Sequence, residues 1–167
     1  MSSHEHHAQS VERVTCAIVT VSDTRTPATD GSGALIRERL EAAGHRVVGC
    51  EIIPDDPARV RTCVAAHCDD PSVQVVLLTG GTGIAPRDTT YEAVDALLEK
   101  RLDGFGELFR MLSYQEIGPA AILSRATAGI RGSTVIFSLP GSPAAVRLAM
   151  DKLILPEVGH VVSLLRA

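Results

Sequence analysis

Hydrophobic and polar positions along this chain alternate between two periods. Residues 13–21 form a short apolar run rich in β-branched side chains between polar turn formers, which predicts a buried strand. The polar, proline-containing stretch 22–30 reads as a loop. From Ser32 the period lengthens: Leu35, Leu40 and Ala43 share one helical face, and Gly44 is a stop signal. Residues 46–53 predict a second strand ended by Pro54, and Pro57 sits well as the first residue of a helix through Val60, Val64 and His67. Residues 74–78 predict a third strand and 79–88 a loop holding three glycines and a proline. Helices are expected over 90–100, 105–116 and 119–126, and a last strong strand over 133–139. Residues 142–165 read as helical with an interruption at Pro156.

Strands alternating with helices imply β-α-β units. The fold class expected is therefore α/β: a single doubly wound, mainly parallel sheet with helices on both faces. A chain of 167 residues fits one domain, assigned to 13–167 behind a disordered tail over 1–12. The tail's His4, His6 and His7 read as frayed ends rather than metal ligands.

Composition narrows the possibilities. Aromatic residues make up 3% with no Trp, so the core must be built from Val, Leu, Ile and Ala. The same scarcity, a net charge of -4 and the lack of a long Lys/Arg run argue against nucleic acid as partner. No stretch approaches the ~20 apolar residues that cross a bilayer, so no membrane association is expected. Cys16, Cys50, Cys63 and Cys68 form no C-x-x-C pair and read as reduced thiols of a cytoplasmic protein.

Ligands of open α/β sheets bind beyond the carboxyl ends of the strands. Three polar loops leave in that direction: Ser22-Asp23-Thr24, Thr79-Gly80-Gly81-Thr82-Gly83 and Pro140-Gly141-Ser142-Pro143. Each alone passes for a tight turn, but together they predict one pocket. In the middle loop, glycines let a ligand reach the main chain, successive N–H groups make an anion-binding concavity, and Thr79 and Thr82 offer hydroxyls. It matches neither the P-loop spacing nor G-x-G-x-x-G. Asp88 either caps the helix beginning near Thr90 or holds Mg²⁺ against phosphates. Asp55 and Asp56 carry the same two readings before Pro57. Asp30, Ser32 and Gly33 open the first helix and either cap it or turn N–H groups toward a second anion; Ser142 is likewise an N-cap or a ligand contact. Spacing does not choose among Arg87, Arg125 and Arg131 as anion contacts. His45, His67 and His160 show no ligand-like pairing.

Taken as a set, these residues resemble a known family. Residues 79–88, Thr-Gly-Gly-Thr-Gly-Ile-Ala-Pro-Arg-Asp, resemble the signature loop of the MogA/MoaB family of molybdopterin-binding proteins. Ser22-Asp23, Asp30-x-Ser32-Gly33, Ile53-Pro54-Asp55 and Leu139-Pro140-Gly141-Ser142-Pro143 support it. The segments 104–113, 116–118 and 121–129 resemble the MoaB branch in particular. The resemblance implies a homo-oligomer, a trimer or hexamer, that uses Mg²⁺ and ATP to adenylylate molybdopterin, releasing pyrophosphate. A hand-off to a molybdenum-insertion protein would follow. By the same resemblance Asp55 and Asp88 are the catalytic, Mg²⁺-holding carboxylates, and the loops at Thr79–Gly83 and Gly141–Ser142 bind the pterin. It also admits a molybdopterin-binding or carrier protein of this family without turnover. A nucleotide-binding domain of other specificity is a third reading.

Overall fold

The computed structural model describes residues 10–167. Its sheet has six strands: β1 (Thr15–Val21), β2 (Arg46–Ile53), β3 (Val75–Thr79), β4 (Lys100–Arg101), β5 (Thr127–Arg131) and β6 (Thr134–Leu139). They lie in the order β2-β1-β3-β6-β5-β4. The pairs β1–β2, β1–β3 and β3–β6 are parallel, whereas β5 runs antiparallel to both β6 and β4. The sheet is thus mixed, with a parallel half that carries the loops of interest.

Helices α1 (Gly31–Ala42), α2 (Pro57–Asp69), α3 (Thr90–Asp95), α4 (Asp103–Ile117), α5 (Pro143–Ala149) and α6 (Leu155–Leu164) cover both faces. The period-2 pattern explains how. On one face Cys16, Ile18, Val75, Leu77, Val135, Phe137 and Leu139 meet Ile36 and Leu40 of α1, Phe109 of α4 and Val146 and Val158 of α5 and α6. On the other, Ala17, Val19, Val76, Leu78 and Ile136 meet Val60 and Val64 of α2 and Ala93 and Val94 of α3. A strand buried on both sides is mostly apolar, and β3 and β6 are buried along their whole length with only Thr79, Thr134 and Ser138 polar. Each such Leu or Ile stabilises the fold by about 1.5–3 kcal/mol relative to an exposed one. The edge strand β2, by contrast, is exposed at several positions and carries the charged Arg46 and Glu51.

Several expectations are corrected. The helix expected over 90–100 ends at Asp95, residues 96–99 form a turn, and Lys100 opens β4. The helix expected over 119–126 is a 3₁₀ turn (Gly118–Leu123) followed by β5. That strand forms a hairpin with β6 through Gly132 at φ 57°. Pro156 does not interrupt the last helix: a π turn (Met150–Ile154) joins α5 to α6 just before it, absorbing the missing N–H. Of the expected tail, His4, His6 and His7 lie outside the described residues. Residues 10–12 are placed, with the Val11 N–H donating to Gly159 O of α6 at 3.1 Å. The four cysteines are free, and burial pushes the Cys16 thiol up to about 12. No helix among the described residues is long and apolar enough to cross a membrane.

Candidate functional site

The loops after β1, β3 and β6 meet at one edge of the sheet and are tied to each other by main-chain contacts. Ser22 N–H donates to Ile53 O at 2.8 Å, drawing the ends of β1 and β2 together. Gly80 N–H donates to Leu139 O at 3.1 Å, joining the ends of β3 and β6. Gly80 takes φ +101° and lies so close to β1 that a Cβ would fall 2.3 Å from Val21 O. Gly81 takes φ +66°, and a Cβ there would meet Thr90 Oγ1 at 2.0 Å and Asp55 Oδ2 at 2.7 Å. Only glycine satisfies both positions.

Several expected ligand hydroxyls are engaged in holding these loops. Thr79 Oγ1 donates to Pro140 O at 3.0 Å, and Ser32 Oγ donates to Gly141 O at 2.8 Å. Ser142 caps α5 by accepting from Ala145 N–H at 3.2 Å. Asp30 caps α1 through Gly33 N–H at 2.8 Å, and its other oxygen accepts from Thr20 Oγ1 at 2.6 Å. Ser22 Oγ accepts the N–H groups of Thr24 and Arg25. Thr82 is buried. The donors these loops leave for an anion are therefore chiefly backbone N–H groups.

The structure separates the paired acids. Asp56 caps α2, accepting from Arg59 N–H at 2.8 Å, which leaves Asp55 to the site. Asp55 Oδ1 accepts from Thr89 N–H at 3.4 Å and Thr89 Oγ1 at 3.2 Å, while its own N–H donates to Asp23 Oδ1 at 3.1 Å. Asp88 is not the cap of α3: the N-cap is Thr89, without a side-chain cap bond, and Asp88 Oδ2 instead accepts from Ala85 N–H at 3.0 Å. Burial raises the Asp55 carboxyl above its ordinary range; the Thr89 bonds oppose this, and the nearby charges of Asp88 and Asp23 add to it. Beside Asp55 Oδ2, the hydroxyl of Thr90 is buried without a hydrogen-bond partner.

Three hollows line this edge. The largest, about 760 Å³, lies over β1 and β2 and includes Ser22, Asp23, Asp30 and Gly33 in its wall. A second, about 440 Å³, lies over β3 and β6 and includes Gly80, Gly81, Thr82, Gly83, Asp88, Pro140, Gly141 and Ser142. Between them a small hollow of about 110 Å³ is lined by Ser22, Asp30, Ser32, Thr79, Gly80 and Gly141. The single pocket expected from the sequence is thus two clefts with the small hollow at Gly80 and Gly141 between them; Asp55 bonds Asp23 in the wall of the first, and its Oδ2 lies near Gly81 in the wall of the second.

Sequence reasoning missed Thr89, Arg25 and the role of Arg125. Arg25 lines the large and the small hollow, with its Nη1 on Thr29 O at 3.1 Å. Arg125 spans the glycine loop: Nε donates to Thr82 O at 3.1 Å, Nη2 to Gly83 O and to Asp88 O at 3.0 Å, and Nη1 to Glu92. Its guanidinium also lies 5.1 Å over the Tyr91 ring. Arg131 faces Asp69 at 3.8 Å instead, and Arg87 is exposed. His67, read as unpaired, meets Glu51 at 2.6 Å. Backbone donors, a small group of carboxylates and two adjoining clefts are equipment for bringing two anionic groups together.

A sequence profile described as "Probable molybdopterin binding domain" matches residues 17–160. The chain is 56% identical over 162 residues to the molybdenum cofactor biosynthesis protein B of Bacillus cereus, covering 96% of each chain. A crystal structure of a molybdenum cofactor biosynthesis protein B superposes with a TM-score of 0.90 at 56% identity, over 92% of this chain and 96% of that one. The tungsten cofactor synthesizing protein MoaB of Pyrococcus furiosus superposes with a TM-score of 0.83 at 40% identity, over 93% and 99%.

Proposed function

The chain belongs to the molybdopterin-binding family, and we propose that it serves molybdenum-cofactor biosynthesis by joining AMP from ATP to molybdopterin. The observation that carries this reading is the placement of Asp55 between two clefts, with Asp23 and Asp88 beside it. One cleft for the pterin and one for the nucleotide fit a reaction between two bound anions.

Carboxylates alone would repel a polyphosphate, so a cation belongs with them. The residues fit Mg²⁺: Asp55 and Asp88 are hard oxygen donors, Asp55 is burdened by neighbouring negative charge, and the partnerless Thr90 hydroxyl adjoins Asp55 Oδ2. Asp55 and Asp88 would hold the ion, which supplies charge neutralisation at the triphosphate. In the reaction a terminal phosphate oxygen of molybdopterin forms a bond to the α-phosphorus of ATP. The bond from that phosphorus to the bridging oxygen breaks, and pyrophosphate leaves with the electron pair. The attacking oxygen is already ionised at neutral pH, so no general base is required. The protein's own residues position and neutralise. The N–H groups of the Gly81–Gly83 and Gly141–Ser142 segments orient one phosphate, Arg125 fixes the shape of the glycine loop, and Thr89 orients Asp55.

Incubation with molybdopterin, Mg²⁺ and ATP, read by mass spectrometry, tests the proposal. Adenylylated pterin and stoichiometric pyrophosphate are expected. Tight pterin binding with no product in excess ATP would instead establish a carrier, and nucleotide binding without pterin binding would establish another specificity.

A further inference from the structure

We propose that Glu51, Cys63 and His67 form a Zn²⁺ site, separate from the carboxylates at the loop edge, that fastens the edge strand β2 to helix α2. These are the three side chains among the described residues whose metal-binding atoms all lie within 4.8 Å of one another. Three different ligand chemistries converge there: a carboxylate, a thiol and an imidazole. The elements place them together by simple geometry. Cys63 and His67 are four residues apart on α2 and so share one helical face, while Glu51 projects from β2 against that face. The His67 ring passes over Gly49 of β2, with Cε1 3.5 Å from where a Cβ would stand. Its Nε2 already contacts Glu51 Oε1 at 2.6 Å.

A tetrahedral Zn²⁺ bonds thiolate sulfur at ~2.3 Å and imidazole nitrogen or carboxylate oxygen at ~2.0–2.2 Å, which puts neighbouring donors roughly 3–4 Å apart. The three donors lie within 4.8 Å of one another, and the half-exposed Glu51 side chain has the freedom to complete that arrangement. A water molecule takes the fourth position. A sulfur and nitrogen donor set selects Zn²⁺ or Co²⁺ over Mg²⁺, which prefers oxygen alone, so the two metals of the molecule do not compete. On binding, the Cys63 thiol gives its proton to solvent and the sulfur bonds the metal; nothing is oxidised or reduced. The consequence is structural. β2 pairs with β1 alone, and Glu51 also lines the largest cleft, so a metal clasp here stiffens the cleft wall.

Titration of the metal-free protein with Co²⁺ alone tests the site. The expected result is one equivalent bound with a thiolate-to-cobalt charge-transfer band, displaced by Zn²⁺. Cys63→Ser should abolish the band; His67→Ala and Glu51→Gln should each weaken binding at least about tenfold, the scale set by losses around a metal centre. Cys50→Ser, an exposed thiol outside the cluster, should change nothing. The amino-terminal histidines contain no sulfur, so binding confined to them gives no such band. No charge-transfer band with excess Co²⁺, or a band that survives in folded Cys63→Ser, overturns the proposal.

Discussion

Arg125→Ala is expected to loosen the glycine loop and lower both stability and pterin affinity. The substitution deletes donors to three loop carbonyls, an ion pair and a ring contact. Of the carbonyls, Thr82 O belongs to a buried residue and loses its partner with little access to water, at about 1–3 kcal/mol. Gly83 is exposed and its carbonyl rehydrates at small cost, while Asp88 is half-buried and its carbonyl rehydrates only in part. The Glu92 carboxylate is largely in solvent, so that pair contributes at most ~1 kcal/mol, and the contact with Tyr91 about 0.5–1 kcal/mol. The sum is roughly 1.5–5 kcal/mol, with a central value of about 3 kcal/mol. For a domain of this size that corresponds to a Tm lower by about 5–15 °C. Arg125→Lys keeps the charge but not the fork that reaches Thr82 O and Asp88 O together, so it should recover less than half the loss. Thermal melts of the unliganded protein and pterin binding by fluorescence measure the two effects. An Arg125→Ala variant that melts within about 1 °C of wild type and binds pterin with unchanged affinity would refute the clamp.

Other expectations concern the acids, the glycine loop and the exposed apolar face. Asp55 is raised in the folded protein, so its ionisation opposes folding: stability falls as pH rises through the window from the ordinary aspartate value to the raised one. Asp55→Asn should therefore melt no lower than wild type at pH 7 without metal, while turnover falls about 100- to 1,000-fold; lost stability with retained turnover would reverse the assignment. Asp88→Asn retains an acceptor for Ala85 N–H and should fold normally with a similar loss of turnover, measured at saturating ATP and Mg²⁺. Gly81→Ala combines a left-handed φ with a Cβ driven against the fully buried Thr90, and should cost about 2–5 kcal/mol by urea unfolding; a wild-type midpoint contradicts this. Leu108, Met111, Tyr114, Ile117 and Ile122 leave an apolar face exposed on α4 and the turn after it, so the chain should self-associate through that face. Light scattering that gives a monomer mass across concentrations counts against this.

The parallel half of the sheet was legible because its strands are runs rich in Val, Ile and Leu bounded by polar, glycine- or proline-containing turns. The antiparallel half was not. β5 is Thr-Ala-Gly-Ile-Arg, with weak β-propensity, and Gly129 is required there because a Cβ would lie 2.5 Å from Lys100 O, a constraint set by a strand 29 residues away. The loops of the site were legible from their glycines and their position after strands. How those loops are held was not, since the Arg125 contacts and the Ser32–Gly141 bond join residues 37 to 109 positions apart. The Asp55–Asp56 ambiguity had a local answer that spacing left open: the residue directly before Pro57 supplies the cap, and its neighbour is released to the site.

That division of labour runs through the whole edge. Asp30, Asp56 and Ser142 satisfy helix amino termini, and Thr79 and Ser32 donate to backbone carbonyls, so each stabilises the unliganded fold. Asp55 does the reverse. It is kept partly buried near two other carboxylates and beside a hydroxyl with no partner, an arrangement that weakens the folded state and that a cation would relieve. A fold that needed only a bound pterin has no use for this crowding, because backbone N–H groups suffice to hold a phosphate. Accumulated negative charge at the junction of two clefts becomes useful when a second, metal-carrying anion has to be brought against the first. This is the physical reason for preferring nucleotide transfer over simple carriage.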